Sequence, residues 1–369
     1  MSSDTKTVMH IIPALVTGGA ELLLLSICEG LRKKYPALSI VIVVLYKSRL
    51  IESRPANDKL TIIPLNLDKY RFLHKIIAVY KCIIKIKPDI VHTHLIPADR
   101  YGLIAAFLAG VKYRVTTAHS QQIDPILSDQ ITPYLFWFLA TNVIAVSEAV
   151  KRNYVKYYYL LSAKISVIYS APSYILTNII SPKQHPGANA PFKIVLVANF
   201  KPAKGQLILI KAFKENRPQY SCVSIDIYGD YSSEYGKQCV EEINNSTTVL
   251  PITLKGRIDN VSDVLFGYHL MISTSFWEGF PLSMVEGMIT GLPIVATDIA
   301  PHREIFGSID NFPFVKAGSS TDLFSMINKV VSEPYYYNYL SKMNLQRAAD
   351  FTQDKMIDNY NRFYNLLGK

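Results

Sequence analysis

Short apolar, β-branched runs alternate with longer helix-like segments along almost the whole chain, and this alternation breaks once and then starts again. Thr7–Pro13 reads as a strand, Val16–Ala20 as a loop and Glu21–Lys34 as a helix. Strands at Ser39–Tyr46, Asp89–His94, Tyr113–His119, Asn142–Val146 and Lys164–Tyr169 follow, with helices at Arg71–Lys87 and Arg100–Leu108 between them. Asn178 to Pro191 holds three prolines, a glycine and two asparagines and reads as a linker. Beyond it, strands at Phe192–Ala198, Val223–Tyr228, Ile252–Lys255, Leu270–Ser273 and Pro293–Thr297 alternate with helices at Gly205–Asn216, Glu234–Asn244, Val261–Gly267 and Pro281–Thr290, and two helices close the chain. Such alternation predicts parallel sheets with helices on both faces. The expected architecture is α/β, with two Rossmann-like doubly wound domains at 1–177 and 192–350. A chain of 369 residues suits two domains, each large enough for its own core. Ligands of such sheets bind beyond the carboxyl ends of the strands, and two such edges facing each other would form a cleft.

The composition narrows the function classes. Hydrophobic residues make up 49% and charged residues 18%, which argues against disorder. Cys28, Cys82, Cys222 and Cys239 lie far apart, so neither a zinc nor a redox motif is indicated, and a reducing compartment is expected. The first apolar run follows Asp4 and Lys6 and is broken by Pro13 and Gly18-Gly19, unlike a signal peptide. The uncharged stretch Gln130 to Ser147 contains Pro133 and Asn142 and reads as a helix at Tyr134–Ala140 followed by a strand, not as a membrane span. Charge is lopsided: residues 1–185 hold 22 basic and 11 acidic side chains, the remainder 17 and 18. A basic first half attracts anionic partners such as a phospholipid surface, a lipid phosphate or a nucleic acid, or it is simply a solvated face. No nucleic-acid-binding motif accompanies the charge. In Arg71–Lys87 the apolar Phe72, Leu73, Ile76, Ile77, Tyr80, Ile83 and Ile84 share one helical face and Arg71, His74, Lys75, Lys81 and Lys85 the other. The apolar face suits a sheet, while the lysines suit anionic headgroups.

Chemistry is most concentrated in Phe276-Trp277-Glu278-Gly279-Phe280-Pro281-Leu282-Ser283-Met284-Val285-Glu286, which follows an apolar strand and opens a helix. Pro281 suits the first helical position, leaving the amides of Leu282 and Ser283 as free donors at a positive helix end. Glu278 and Glu286 stand eight residues apart and can face one pocket, where carboxylates grip sugar or ribose hydroxyls; they can equally be surface glutamates. Lys204 lies after a strand and before a helix, where it can meet phosphate or only water. Gly18-Gly19 allows close approach of a phosphate or makes a plain tight turn. His119 ends a strand and is a site residue or a structural one. His92 and His94 face the same side of a strand, but no third ligand appears at suggestive spacing, so no metal is expected.

The Glu278–Glu286 stretch resembles the Glu-x7-Glu motif of retaining glycosyltransferases of family 4, which have the GT-B fold of two facing Rossmann-like domains with a cleft between them. Gly291-Leu292-Pro293-Ile294-Val295-Ala296-Thr297 is similar to the turn and strand that follow it in that family, and Ala198-Asn199-Phe200-Lys201-Pro202-Ala203-Lys204-Gly205 to its phosphate-binding turn. Asp89–His94, Ala118-His119 and Ala145-Val146-Ser147 stand in the family's order, and the last segment, 351–369, looks like a helix crossing back to the first domain. The resemblance implies a catalytic His119 and Glu278. It also implies a donor site of Gly18, Gly19, Asn199, Lys204, Arg257, Gly279, Phe280, Leu282, Ser283 and Glu286, with Glu286 on the nucleotide ribose and Lys204 on the diphosphate.

Three departures stand against the pattern. Asn199 replaces the usual arginine, so one diphosphate cation is missing, to be supplied by Lys201 or Arg257. Pro281 replaces a common glycine, and Ser170-Ala171-Pro172-Ser173 stands where an NGxD is usual. The activity implied is transfer of a hexosyl or N-acetylhexosaminyl group from a nucleoside-diphosphate sugar, by default a UDP-sugar. The anomeric configuration would be retained, with no metal or other cofactor. A basic first domain suits a lipid-linked, polyprenyl-diphosphate or oligosaccharide acceptor in surface polysaccharide synthesis. That places the enzyme in the cytoplasm, peripheral to the anionic inner face of the plasma membrane. The rivals are a nucleotide-sugar epimerase or hydrolase of the same fold and an inactive glycosyltransferase-like partner subunit, which Asn199 favours.

Overall fold

The computed structural model of the chain describes residues 6–16, 18–48, 60–121, 135–158, 162–172, 181–187, 190–216, 223–258 and 260–367. Thr17, Tyr134 and residues 130–133, Cys222, Ser173 and, in the expected linker, 178–180 and 188–189 lie outside the described residues. The chain divides into two compact units, Met1–Ser173 with Gln353–Lys369, and Tyr174–Thr352.

The first unit is built on seven parallel strands: β1 (Lys6–Ile12), β2 (Leu38–Val44), β3 (Thr61–Pro64), β4 (Ile90–His94), β5 (Tyr113–Ala118), β6 (Asn142–Ala145) and β7 (Ile165–Val167). Their order is β3-β2-β1-β4-β5-β6-β7, so the direction of winding reverses between β1 and β4. Side-chain alternation on β1 divides the core. Val8 and Ile12 pack with Leu24, Ile27 and Leu31 of α1 (Gly19–Lys34). Met9 and Ile11 pack with Ile76, Val79 and Ile83 of α2 (Phe72–Ile86) and Ala105 of α3 (Ile96–Leu108). The fourth helix, α4, spans Glu148–Tyr158. The C-terminal helix, Gln353–Leu366, belongs to this unit and lies against α1. Gly30 permits the approach, because a Cβ there would sit 2.6 Å from Ile357 Cδ1. The Lys6 ammonium donates to the carbonyl of Tyr364 at 2.8 Å near the end of that helix, where the dipole is negative.

The second unit carries β8 (Phe192–Val197), β9 (Val223–Tyr228), β10 (Ile252–Gly256), β11 (Leu270–Ser273), β12 (Ile294–Thr297) and β13 (Phe314–Val315) in the order β10-β9-β8-β11-β12-β13, all parallel. Its helices are α5 (Gln206–Glu215), α6 (Glu234–Asn244), α7 (Ser262–Leu265), α8 (Leu282–Ile289), α9 (Ala300–Phe306), α10 (Ser320–Ser332) and α11 (Pro334–Ala348). Residues 181–187 of the expected linker are tied into this unit: Lys183 donates to the carbonyls of Phe266 and Tyr268, and His185 meets the carbonyl of Val331.

Several elements differ from expectation. β3 and β13 are short edge strands, the first half-exposed and the second of two residues, so neither shows a buried alternating run. The helix expected at Tyr134–Ala140 is a 3₁₀ turn at Leu135–Leu139. Helices α4 and α9 were not anticipated, and four helices rather than two follow β12. Among the described residues, no helix is long and apolar enough to cross a membrane.

Candidate functional site

In the second unit the winding reverses between β8 and β11, the point in such a sheet beyond whose strand ends ligands bind. The loop after β8 makes a 3₁₀ turn at Pro202–Lys204 and then turns sharply at Gly205, whose φ of 64° lies in the left-handed region. Only glycine fits, because a Cβ at Gly205 would stand 2.3 Å from the carbonyl oxygen of Thr274. The loop after β11 is stitched to it. Thr274 Oγ1 donates to the carbonyl of Lys204 at 2.7 Å, and the amide of Phe276 donates to Ala203 at 2.8 Å.

These ties bring Lys204 and Glu278 together across 74 residues of sequence, Nζ to Oε1 at 2.5 Å. Ser275 Oγ donates to the same oxygen at 2.7 Å. Burial pushes the Glu278 carboxyl up, but the Lys204 charge and hydrogen bond, helped by the hydrogen bond from Ser275, outweigh it and hold the group below its usual range. Thr297 Oγ1 donates to the carbonyl of Ser275, bracing this loop from β12. His302 on α9 is fully buried, and its Nδ1 lies 2.7 Å from the carbonyl of Thr297, which requires the proton on Nδ1. Burial lowers its pKa to about 4, so the ring is neutral. No periodic pattern or motif marks Ser275 and His302 in the sequence, and Thr297 stands there only as the end of the Gly291–Thr297 turn and strand; the pairing of β11 with β12, which brings their ends side by side, is the informative signal.

Lys204, Glu278 and Ser283 line one small cavity at these strand ends. Pro281 precedes α8 as its N-cap, with ψ of 79°, and does not occupy the first helical position as expected. Nor is the amide of Leu282 a free donor: it bonds to the carbonyl of Phe280 at 3.0 Å in a tight turn. Ser283 Oγ reaches the carbonyl of Val197 at 3.3 Å. Gly279 and Phe280 carry the loop, with the Phe280 ring 5.6 Å from that of Phe351. Glu286, one turn further along, is only partly exposed, and among the described residues its carboxyl has no hydrogen-bond or ion-pair partner. Burial raises its pKa to about 7.

Asn199 is held to the next loop, its Oδ1 accepting from the amide of Asp230 at 3.1 Å. The Ser232 hydroxyl and amide hold the Asp230 carboxyl below its usual range, with a further contribution from Arg257. Asn199, Asp230 and Arg257 therefore gather beyond the ends of β8, β9 and β10, next to the Lys204 loop.

In the first unit Gly18 caps α1 and Gly19 opens it. A Cβ on Gly18 would meet Glu21 Oε2 at 2.3 Å, so the Glu21 carboxyl already folds back over this helix end. His119 follows β5, half-buried, with Nε2 at 3.3 Å from Nδ1 of His94. The structure adds the third histidine that spacing did not reveal. His10 on β1 is paired in register with His92 on β4, and His10, His92 and His94 are fully buried within reach of a common ion. Their ring nitrogens are otherwise engaged: His92 Nδ1 with the Tyr364 hydroxyl and Nε2 with Thr117 Oγ1, both at 2.7 Å, and His10 Nδ1 with His94 Nε2 at 3.0 Å. Among the described residues, His10 Nε2 is the one ring nitrogen of these three that lacks a partner. This is a packed hydrogen-bond network, and a metal would have to break it.

A parallel Rossmann-type sheet in each unit and a polar cluster at the switch point of the second define a protein of the GT-B architecture. The comparisons agree. Residues 17–171 match the family model described as Glycosyltransferase Family 4 and residues 179–347 the one described as Glycosyl transferases group 1. The chain is 25% identical over 324 residues to the Escherichia coli UDP-Gal:alpha-D-GlcNAc-diphosphoundecaprenol alpha-1,3-galactosyltransferase, covering 79% of this chain and 81% of that one. It is 31% identical over 170 residues to the Bacillus subtilis poly(glycerol-phosphate) alpha-glucosyltransferase, covering 46% of this chain and 25% of that one. Among solved structures it is similar to Anabaena HepE in complex with UDP and glucose, with a TM-score of 0.79 at 20% identity over 98% of this chain and 99% of that one. The chain belongs to the family-4-like glycosyltransferases.

Proposed function

We propose that this protein transfers a hexosyl or N-acetylhexosaminyl group from a nucleoside-diphosphate sugar, a UDP-sugar by preference, to a lipid-linked or saccharide acceptor, with retention at the anomeric carbon. The observation that carries the donor reading is the pair of carboxyls after β11. Glu278 is fixed by Lys204 and Ser275, whereas Glu286 sits partly buried with no partner among the described residues. A buried carboxyl without a partner is costly, and a ribose diol supplies the two donors that would satisfy it. Lys204 faces the diphosphate in this reading and Glu278 the transferred sugar; His119 keeps the site role that the family resemblance gives it. Positive charge from Lys204, with Arg257 beside Asn199, stabilises the leaving diphosphate, so turnover is expected to survive chelation of divalent ions. The donor named for the E. coli relative and the UDP and glucose held by HepE support this reading. Neither a donor-only epimerase or hydrolase nor an inactive subunit is favoured, because the relatives are transferases and the Lys204–Glu278 pair is intact.

The acceptor named for the E. coli relative supports a polyprenyl-diphosphate acceptor and a role in surface polysaccharide synthesis. So does α2. Its Ile76, Val79 and Ile83 are buried, yet Leu73, Ile77, Tyr80 and Ile84 form an exposed stripe. Lys81, Lys85 and Lys87 flank this stripe, with no acid from Lys69 to Lys87. An exposed apolar stripe edged by lysines fits the cytoplasmic, anionic face of a membrane. Calorimetry with UDP, GDP and ADP tests the donor reading: one nucleotide is expected to bind selectively, and binding of none would sink it. Flotation with anionic and neutral liposomes tests the surface. Leu73→Asp with Ile77→Asp is expected to abolish binding to anionic vesicles, and equal binding of the unaltered protein to neutral vesicles would refute the electrostatic part.

A further inference from the structure

We propose that His94 and His10 are positioning residues that lock His119 as the Nδ1–H tautomer, so that His119 offers a hydrogen-bond donor, not a proton acceptor, at its free nitrogen. The inference rests on the reading of His119 as a residue of the transfer site. Three rings run head to tail: His10 Nδ1 lies 3.0 Å from His94 Nε2, and His94 Nδ1 lies 3.3 Å from His119 Nε2. A neutral imidazole has one N–H and one lone pair, and each contact needs one of each. The choice made at one ring therefore fixes the other two, and only two arrangements exist.

The buried end of the chain decides between them. His10 Nε2 is sealed in the core with no partner. If every proton sat on Nε2, that atom would be an orphaned N–H donor. If every proton sits on Nδ1, it is an unmet lone pair. Among buried backbone groups an orphaned N–H is rarer than an unmet acceptor, and by the same preference the chain runs His10 Nδ1–H to His94 Nε2 and His94 Nδ1–H to His119 Nε2. His119 Nδ1, which has no partner among the described residues, is left with a proton to donate. Burial keeps all three rings neutral, with His10 lowered to about 3, His119 to about 4 and His94 well below the usual histidine value. The His92 ring, held by Tyr364 and Thr117, stacks 4.3 Å from His94 and keeps it from rotating. An N–H at His119 can bind a sugar hydroxyl or ring oxygen but cannot take a proton from an acceptor.

The test is two-bond proton–nitrogen correlation NMR on the full chain labelled with ¹⁵N-histidine at neutral pH. Resonances are assigned by their disappearance in single-histidine variants. The expected result is protonated Nδ1 and bare Nε2 at His10, His94 and His119. A proton on Nε2 at His94 or His119, or a cationic ring, overturns the proposal. Removing the anchor with His10→Phe is expected to mix the tautomers at His119 and to lower kcat by at least about tenfold, with KM for the donor unchanged. His10→Asn, whose amide offers His94 an acceptor as well as a donor, is expected to leave the tautomers mixed too. An unmixed His119 in His10→Phe refutes the linkage. His119→Ala with unchanged transfer would remove the functional reading of His119, while the wild-type spectrum judges the tautomer chain by itself.

Discussion

If the Glu286 carboxylate receives the ribose hydroxyls, nucleotide binding must follow its ionisation. Burial without a partner places the Glu286 pKa at about 7, against an ordinary glutamate value of 4.5. The binding-competent, ionised fraction of the free protein is then about a tenth at pH 6 and about nine-tenths at pH 8. The apparent Kd scales inversely with the competent fraction, so it should tighten about tenfold across that interval. Glu278 adds no slope in this window, because its carboxyl is held below the usual range by Lys204 and is ionised throughout. The assay is isothermal titration of the selected nucleoside diphosphate between pH 6 and pH 8, with the titration of its own terminal phosphate measured separately and subtracted. Glu286→Gln is expected to bind more weakly at pH 8 and to lose the slope. A flat corrected profile in the wild type, or the same slope in Glu286→Gln, would refute the assignment of this carboxyl to the ribose.

Lys204→Ala leaves the Glu278 carboxylate, whose side chain is only 11% exposed, without its counter-charge. Chemical denaturation at pH 8 should show a loss of about 3 kcal/mol that shrinks in acid, where a proton replaces the ammonium, along with a steep fall in transfer rate. Gly205→Ala forces a Cβ onto the Thr274 carbonyl at a positive φ and should cost about 2 kcal/mol or more, read as a lower urea midpoint with unchanged m. Tyr364→Phe removes the buried hydroxyl 2.7 Å from His92 Nδ1 and should cost about 1–3 kcal/mol by the same measurement.

The sequence carried the layered architecture because buried parallel strands leave dense apolar runs, and every long one of them, such as Leu38–Val44 and Phe192–Val197, was legible. The elements that escaped are those whose burial is set by neighbours. β3 and β13 complete sheet edges without a pattern of their own, and the aromatic Leu135–Leu139 segment tightens to a 3₁₀ turn. The same limit governs the site. Lys204 and Glu278 were legible as separate loop residues, but their direct pairing depends on the turn at Gly205 meeting Thr274. Leu282 looked like a free donor until the turn at Phe280 claimed its amide. His10 lies in the first expected strand with no motif to mark it, and only the register that aligns it with His92 reveals the histidine network.

Two carboxyls eight residues apart thus acquire opposite proton affinities, and each has a different consequence for stability. Glu278 is depressed in the folded state, so its contribution is present above the ordinary carboxyl pKa and is lost as pH falls through the lowered value. Glu286 is raised, so the fold gains from its proton below about pH 4.5 and loses that gain as pH rises through about 7. The upward shift corresponds to about 3 kcal/mol. At pH 8 the empty site therefore holds an ionised, unsatisfied carboxylate, and Glu286→Gln should be more stable than the unaltered protein by up to that amount. A bound ribose would supply the missing donors, so the thermal stabilisation given by saturating nucleotide should grow from pH 6 to pH 8 in the wild type and stay level in Glu286→Gln. A glutamine variant less stable than wild type at pH 8 would mean that Glu286 has structural partners in solution, and the site would not be poised for a ligand in this way.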